Sequence, residues 1–195
     1  MFKFLRILSA VILLTLLSST FATAVERAVV EYKVLATNKT STTEKEMNEA
    51  AEAGFRFGAV MGGETSFGGS EVVSIMYRDG STEKGRFAYK LLATSKTSTM
   101  QKEMQEAGDA GYEYKGQTVY KSTFGGKEVV LILELDRTKP LVLYDYRLLA
   151  TKKTSTMEKE LGEAGASEYE FVGMTVGESK MAGNEVISIL RKAKK

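Results

Sequence analysis

The chain has 195 residues, 27 basic and 25 acidic, and contains no cysteine, histidine or tryptophan. Disulfide staples are excluded, most zinc, copper, haem and iron–sulfur sites lose their ligands, and the nucleophile–histidine pairs of common hydrolases cannot form. The near balance of charge argues against a nucleic-acid partner, since such binders need excess positive charge to displace phosphate counterions.

The first segment reads as an export signal. Lys3 and Arg6 precede the apolar run Ile7 to Leu17, and Ala22-Thr23-Ala24 has the small-x-small spelling of a cleavage site. The run is shorter than the ~20 residues of a transmembrane span. Residues 1–24 are therefore expected to be a leader cleaved near Ala24, leaving an exported chain, periplasmic or secreted, with no membrane span. Lys3 and Arg6 leave with the leader, and the remaining chain has no net formal charge.

From there the chain is one unit written three times. Tyr32, Tyr89 and Tyr146 stand 57 residues apart, and "YKVLAT", "YKLLAT" and "YRLLAT" align without a gap. The expected units are 25–80, 81–137 and 138–195. Each opens on an alternating segment, such as Val30, Tyr32 and Val34 against Glu31 and Lys33, which is a strand with one wet face. A helix follows: Met100, Met104, Ala107 and Gly108 recur on one stripe. Ser41-Thr42-Thr43-Glu44, Ser98-Thr99-Met100-Gln101 and Ser155-Thr156-Met157-Glu158 are spelled as capping boxes. Gly54 and Gly111 sit where a left-handed residue ends a helix, whereas the third copy has Glu168, so its helix is expected to end differently.

A second alternating strand comes next, then Gly68-Gly69, Gly125-Gly126 or Ala182-Gly183 as a hairpin turn. The third strand, Val129 to Leu133 in the second copy, is continuously apolar and is expected at the sheet centre. The fold class is α+β: three tandem β-α-β-β repeats, each a three-stranded sheet covered by one helix. One such unit is marginal alone, so the three are expected to pack together with pseudo-threefold symmetry.

The pieces "FAYKLLAT", "EAGDAGYEYKG" and "EVVLILEL", with their counterparts, resemble the bacterial domain of unknown function 4177 family. The family commonly has Trp after the helix-ending glycine, where this chain has Phe55, Tyr112 and Tyr169. The resemblance implies the β-α-β-β unit three times over and no transferable activity.

Candidate sites are few. Lys96-Thr97-Ser98 has the ending of a P-loop without its glycines, which leaves a helix start with nearby cations as a weak anion site. The ligand candidates on that reading are Lys39, Ser41, Lys96, Ser98, Lys153 and Ser155. Glu46 and Glu49, Glu103 and Glu106, and Glu160 and Glu163 could pair for glycoside hydrolysis, but Lys45, Lys102 and Lys159 beside them spell a solvated helix face. Glu71, Glu128 and Glu185 could meet as a calcium site, without a loop of the right spelling. Tyr32, Tyr89, Tyr146, Phe57, Tyr114 and Phe171 are expected in the core, as are Met100, Met104 and Met157. Asn38-Lys39-Thr40 spells a glycosylation sequon that chance accounts for. These residues suggest an exported, non-enzymatic protein, without cofactor, that binds or supports an unknown protein or envelope component. A small-ligand or anion binder is the alternative, and a carboxylate-only envelope hydrolase the remaining one.

Overall fold

A computed structural model describes residues 29–66, 69–121, 126–179 and 183–195; the expected leader lies outside these. The first unit runs β1 (Glu31–Thr37), α1 (Thr40–Glu52), β2 (Arg56–Thr65) and β3 (Gly69–Arg78). The second comprises β4 (Phe87–Thr94), α2 (Thr97–Asp109), β5 (Glu113–Lys121) and β6 (Lys127–Asp136). The third comprises β7 (Tyr144–Thr151), α3 (Thr154–Ala166), β8 (Glu170–Ser179) and β9 (Gly183–Ala193). The three antiparallel sheets have the orders β1-β3-β2, β4-β6-β5 and β7-β9-β8, so the apolar third strand is central in each. The glycine turns lie partly outside the described residues, but Thr65↔Gly69, Lys121↔Lys127 and Ser179↔Gly183 pair across them as hairpins.

The alternation of a central strand explains why it is apolar throughout. Val130 and Ile132 of β6 enter a core with Met47, Ala50 and Ala51 of α1, while Val129, Leu131 and Leu133 enter the opposite core with Met100, Met104 and Ala107 of α2. Ile187 and Ile189 of β9 join that second core, and Leu190 turns to a small third one with Leu149 and Ala164. The layers therefore run sheet, helix, sheet, helix, sheet, helix. Three similar packed units are present, and they succeed one another as a stack. Tyr32 and Val34 stand exposed where α3 would have to close a ring.

Each helix ends in the same way. Phe55, Tyr112 and Tyr169 donate their backbone N–H to the carbonyls of Ala50, Ala107 and Ala164, the longer bond of a Schellman motif. Gly54 and Gly111 take the left-handed φ this requires, at 88° and 82°. The expectation of a different third ending is corrected: Glu168 adopts φ 67° and closes the same motif. The closure outweighs the steric cost of a side chain in that region.

The helix starts also differ from expectation. The N-caps are Lys39, Lys96 and Lys153, none with a side-chain cap, and Ser41, Ser98 and Ser155 lie one residue inside the first turn. The capping boxes do not form. At the first two starts the preceding strand takes part: Thr37 and Thr94 accept the N–H of Lys39 and Lys96 at 3.1 Å. The Glu or Gln that would have reached back is engaged by the next unit instead.

Candidate functional site

Two sets of polar contacts are built at the junctions between units. One joins each helix to the opening strand that follows it. Asn48 of α1 donates to the Tyr89 carbonyl and accepts the Tyr89 N–H, both at 2.9 Å, and Glu44 accepts the Leu91 N–H at 2.8 Å. One step on, Gln105 of α2 donates to Tyr144 O at 3.1 Å and accepts Tyr146 N–H at 3.1 Å. Gln101 joins Tyr146 O and Leu148 N–H, each at 2.8 Å. Side chains thus satisfy the free edges of β4 and β7, which would otherwise leave backbone donors unpaired at a buried junction.

The tyrosines complete that joint. The second strand of every unit has a bulge, between Phe57 and Ala59, Tyr114 and Gly116, or Phe171 and Gly173. Phe57 N–H donates to the hydroxyl of Tyr89 at 2.8 Å, and Tyr114 N–H to that of Tyr146 at 2.6 Å. Burial pushes the phenols of Tyr114 and Tyr146 up to about 12. Burial and then the Glu134 carboxylate push Tyr89 further.

The second set lines a cleft of about 210 Å³ reached by all three units. Arg56 comes from the first; Arg86, Phe87, Glu113, Lys115, Glu134 and Asp136 from the second; Lys139, Leu141 and Tyr144 from the third and its approach. Sheet register builds its floor, because Tyr89, Glu134 and Glu113 form one transverse row. The buried Glu134 carboxylate accepts from the Tyr89 hydroxyl at 2.8 Å and faces Lys115 Nζ at 3.5 Å. Lys115 also meets Glu113 at 2.9 Å, and Arg191 of the third unit reaches Glu113 at 2.6 Å.

Arg86 holds Asp136 at 2.7 Å and lies over the Phe87 ring, with the Arg56 guanidinium 5.3 Å from the same ring. The hydrogen bond from Arg86 leads the causes that hold the Asp136 carboxyl well below the usual carboxylate range. At Glu113 burial alone acts upward, but hydrogen bonds from Lys115 and Arg191 outweigh it and the pKa is lowered. Both carboxyls are displaced away from neutrality, whereas a general base works best with its pKa near the operating pH. The cleft is suited to holding a polar ligand among fixed charges. Arg56 lines the cleft as well, and its Nε is sealed from solvent without a hydrogen-bond partner among the described residues.

The candidates read from the sequence fall elsewhere. Lys39, Ser41, Lys96, Ser98, Lys153 and Ser155 are exposed at the starts of three separate helices. Glu49, Glu106 and Glu163 are exposed and pair with Lys45, Lys102 and Lys159 at 3.7, 3.8 and 3.7 Å, as a solvated face requires. Glu46, Glu103 and Glu160 are half-buried, and one oxygen of Glu103 and of Glu160 is sealed without a partner. Glu71, Glu128 and Glu185 belong to three different sheets, and no acidic group able to hold a metal occurs among the described residues. The core placement of Tyr32 and Phe171 is corrected, for both are exposed, and Met157 is only half-buried. They sit on the terminal layers, where no further unit covers them.

The cleft was missed because period-57 reasoning looks for what recurs. Its charges stand where the copies disagree: Arg56, Glu113 and Glu170 at one position, and Tyr77, Glu134 and Arg191 at another. Disagreement among otherwise matched copies was the available signal. Comparison with protein-family models, with curated proteins and with solved structures finds no match to this chain.

Proposed function

We propose that the chain is an exported, non-catalytic repeat protein whose fused layers form a rigid scaffold with a binding role, and that the cleft between its units is the binding surface. The observation that carries this reading is the pre-pairing of the cleft charges: Lys115 with Glu134 and Arg86 with Asp136 inside the second unit, and Arg191 of the third unit with Glu113 across the boundary. Charges fixed in this way orient a polar ligand in the cleft that Arg56 also lines. The sequence supports export through the leader spelled at residues 1–24. Among the described residues no helix is long and apolar enough to cross a membrane. The resemblance to the unknown-function family adds a unit type to this reading and no chemistry.

The test is a thermal-shift panel at fixed ionic strength with phosphate, nucleotides, calcium and envelope glycans, alongside turnover assays on the same glycans. A ligand at 100 times its dissociation constant adds about 2.7 kcal/mol, which for a domain of this size raises the melting temperature by roughly 5–10 °C. The expected result is one saturable rise that Arg56→Ala removes and that Lys96→Ala with Ser98→Ala leaves in place. Glycan turnover abolished by Glu103→Gln or Glu134→Gln would overturn the non-catalytic reading.

A further inference from the structure

The stack ends on two unlike surfaces, and each matches what the other end lacks. At one end the outer face of the first sheet presents Val30, Tyr32, Val34 and Met61 to solvent. Tyr32 is 70% exposed, while its counterparts Tyr89 and Tyr146, covered by a preceding helix, are 2% and 3% exposed. At the other end Phe171, Met174 and Val176 of β8 are exposed beside α3, in which only Ala164 is buried. Their counterparts inside the stack are used: Phe57 and Val60 pack into the first core, and Tyr114 and Val119 into the second. Seven of the large exposed apolar side chains of the described residues therefore lie on two faces that the repeat itself would bring together.

We propose that the protein associates head to tail with further copies of itself, the α3–β8 face of one copy seating on the outer face of the first sheet of the next, by the same step that joins its own units. The interface already occurs twice in the chain, at α1 on β4 and at α2 on β7, which defines its geometry and chemistry. Tyr32 of the receiving copy enters the bulge between Phe171 and Gly173, as Tyr89 enters that of Phe57 and Tyr146 that of Tyr114. Glu158 stands where Glu44 and Gln101 accept a strand N–H, and so meets Val34.

Two internal features are missing from this contact. Gly162 replaces the carboxamide of Asn48 and Gln105. Ala166 and Gly80 stand where Glu52 pairs with Arg137 at 2.9 Å and Asp109 with Lys194 at 2.5 Å. Loss on both partners leaves neither member of that ion pair unmatched, so the contact between copies is mainly apolar, weaker than the internal joints and reversible. The interface is heterologous, and the in-line stack does not close on itself, so the product is an open series of oligomers rather than a symmetric dimer.

The full-length chain is expressed, and the protein recovered is followed by sedimentation velocity over a wide concentration range. A series of oligomers growing with concentration is expected. Tyr32→Glu blocks one end and Phe171→Glu the other, so each variant alone is monomeric. Mixed in equal amounts they form a dimer and nothing larger, because each retains the face the other has lost. Gly162→Gln restores the carboxamide and tightens the series by about tenfold in dissociation constant, equivalent to ~1.4 kcal/mol. Circular dichroism identifies any variant that fails to fold, and Val34→Lys or Met174→Lys then replaces it. A wild-type chain that stays monomeric overturns the proposal. So does a mixture of the two blocked variants that stays monomeric, which would assign the sheet face to a symmetric dimer, to the chain's own first residues or to another protein.

Discussion

Gly108 and Gly165 occupy the same position of successive units, yet a methyl group meets opposite surroundings at the two. A Cβ on Gly108 would lie 2.5 Å from the Tyr144 carbonyl oxygen and 2.8 Å from the Tyr146 ring, and on Gly165 it would have nothing within 4 Å. Gly108→Ala is therefore expected to destabilise by about 1–3 kcal/mol through overpacking, and Gly165→Ala to stabilise by up to about 1 kcal/mol through helix propensity. Thermal unfolding of the two variants checks this, and shifts of the same sign would contradict the layer order. The phenols give a second test at this scale. Tyr114 and Tyr146 are pushed up to about 12, from an unfolded value near 10, and Tyr89 further. A raised folded pKa contributes stability that is full below pH ~10 and is lost as pH rises through ~12. In an alkaline titration of the nine tyrosines, these three should ionise last and together with unfolding. A single step near pH 10 with the fold intact would refute their burial.

At the scale of elements, the alternating strands, the apolar helix stripe and the central third strand were all legible. Each depends on a period of 2 or 3.6, and the cores accept those faces as written. The helix starts were not legible in the same way. Ser-x-x-Glu spells a cap, but Glu44 and Gln101 serve the edge of the next sheet, a partner 47 residues away in each case. A local motif competes with tertiary partners, and here the buried edge strand takes the acceptor. Gln105→Ala should consequently cost about 2 kcal/mol, since two net hydrogen bonds of ~1 kcal/mol each are lost to the backbone of β7. Denaturant unfolding measures it. A loss no larger than that of an exposed surface change would mean that the edge of β7 does not depend on α2.

At the scale of the molecule, duplication supplies what one unit cannot. A lone three-stranded sheet with one helix leaves an apolar face in water, and stacking covers that face at each internal step. The two larger cores, on either side of the second sheet, lie between units, while the third contains Leu149, Ala164 and Leu190 as its buried members among the described residues. Stability is therefore concentrated at the middle of the stack, and the outermost layers carry the unused apolar surface. The cleft is likewise a property of the stack, because the second unit supplies most of its charges and the neighbouring units add Arg56 and Lys139 to its wall.

The sequence by itself determined the repeat, the β-α-β-β unit, its sheet order and the helix-ending turns at Gly54 and Gly111, because these follow from local periodicity and from glycine's left-handed backbone, whereas the same turn at Glu168 showed only in the structure. Only the tertiary structure decided that Tyr89 is buried and Tyr32 exposed, and that Gly108 is crowded and Gly165 free. Equivalent residues differ there solely in whether another layer lies beyond them. That neighbour is set by position in the stack, and no residue within a single unit encodes it.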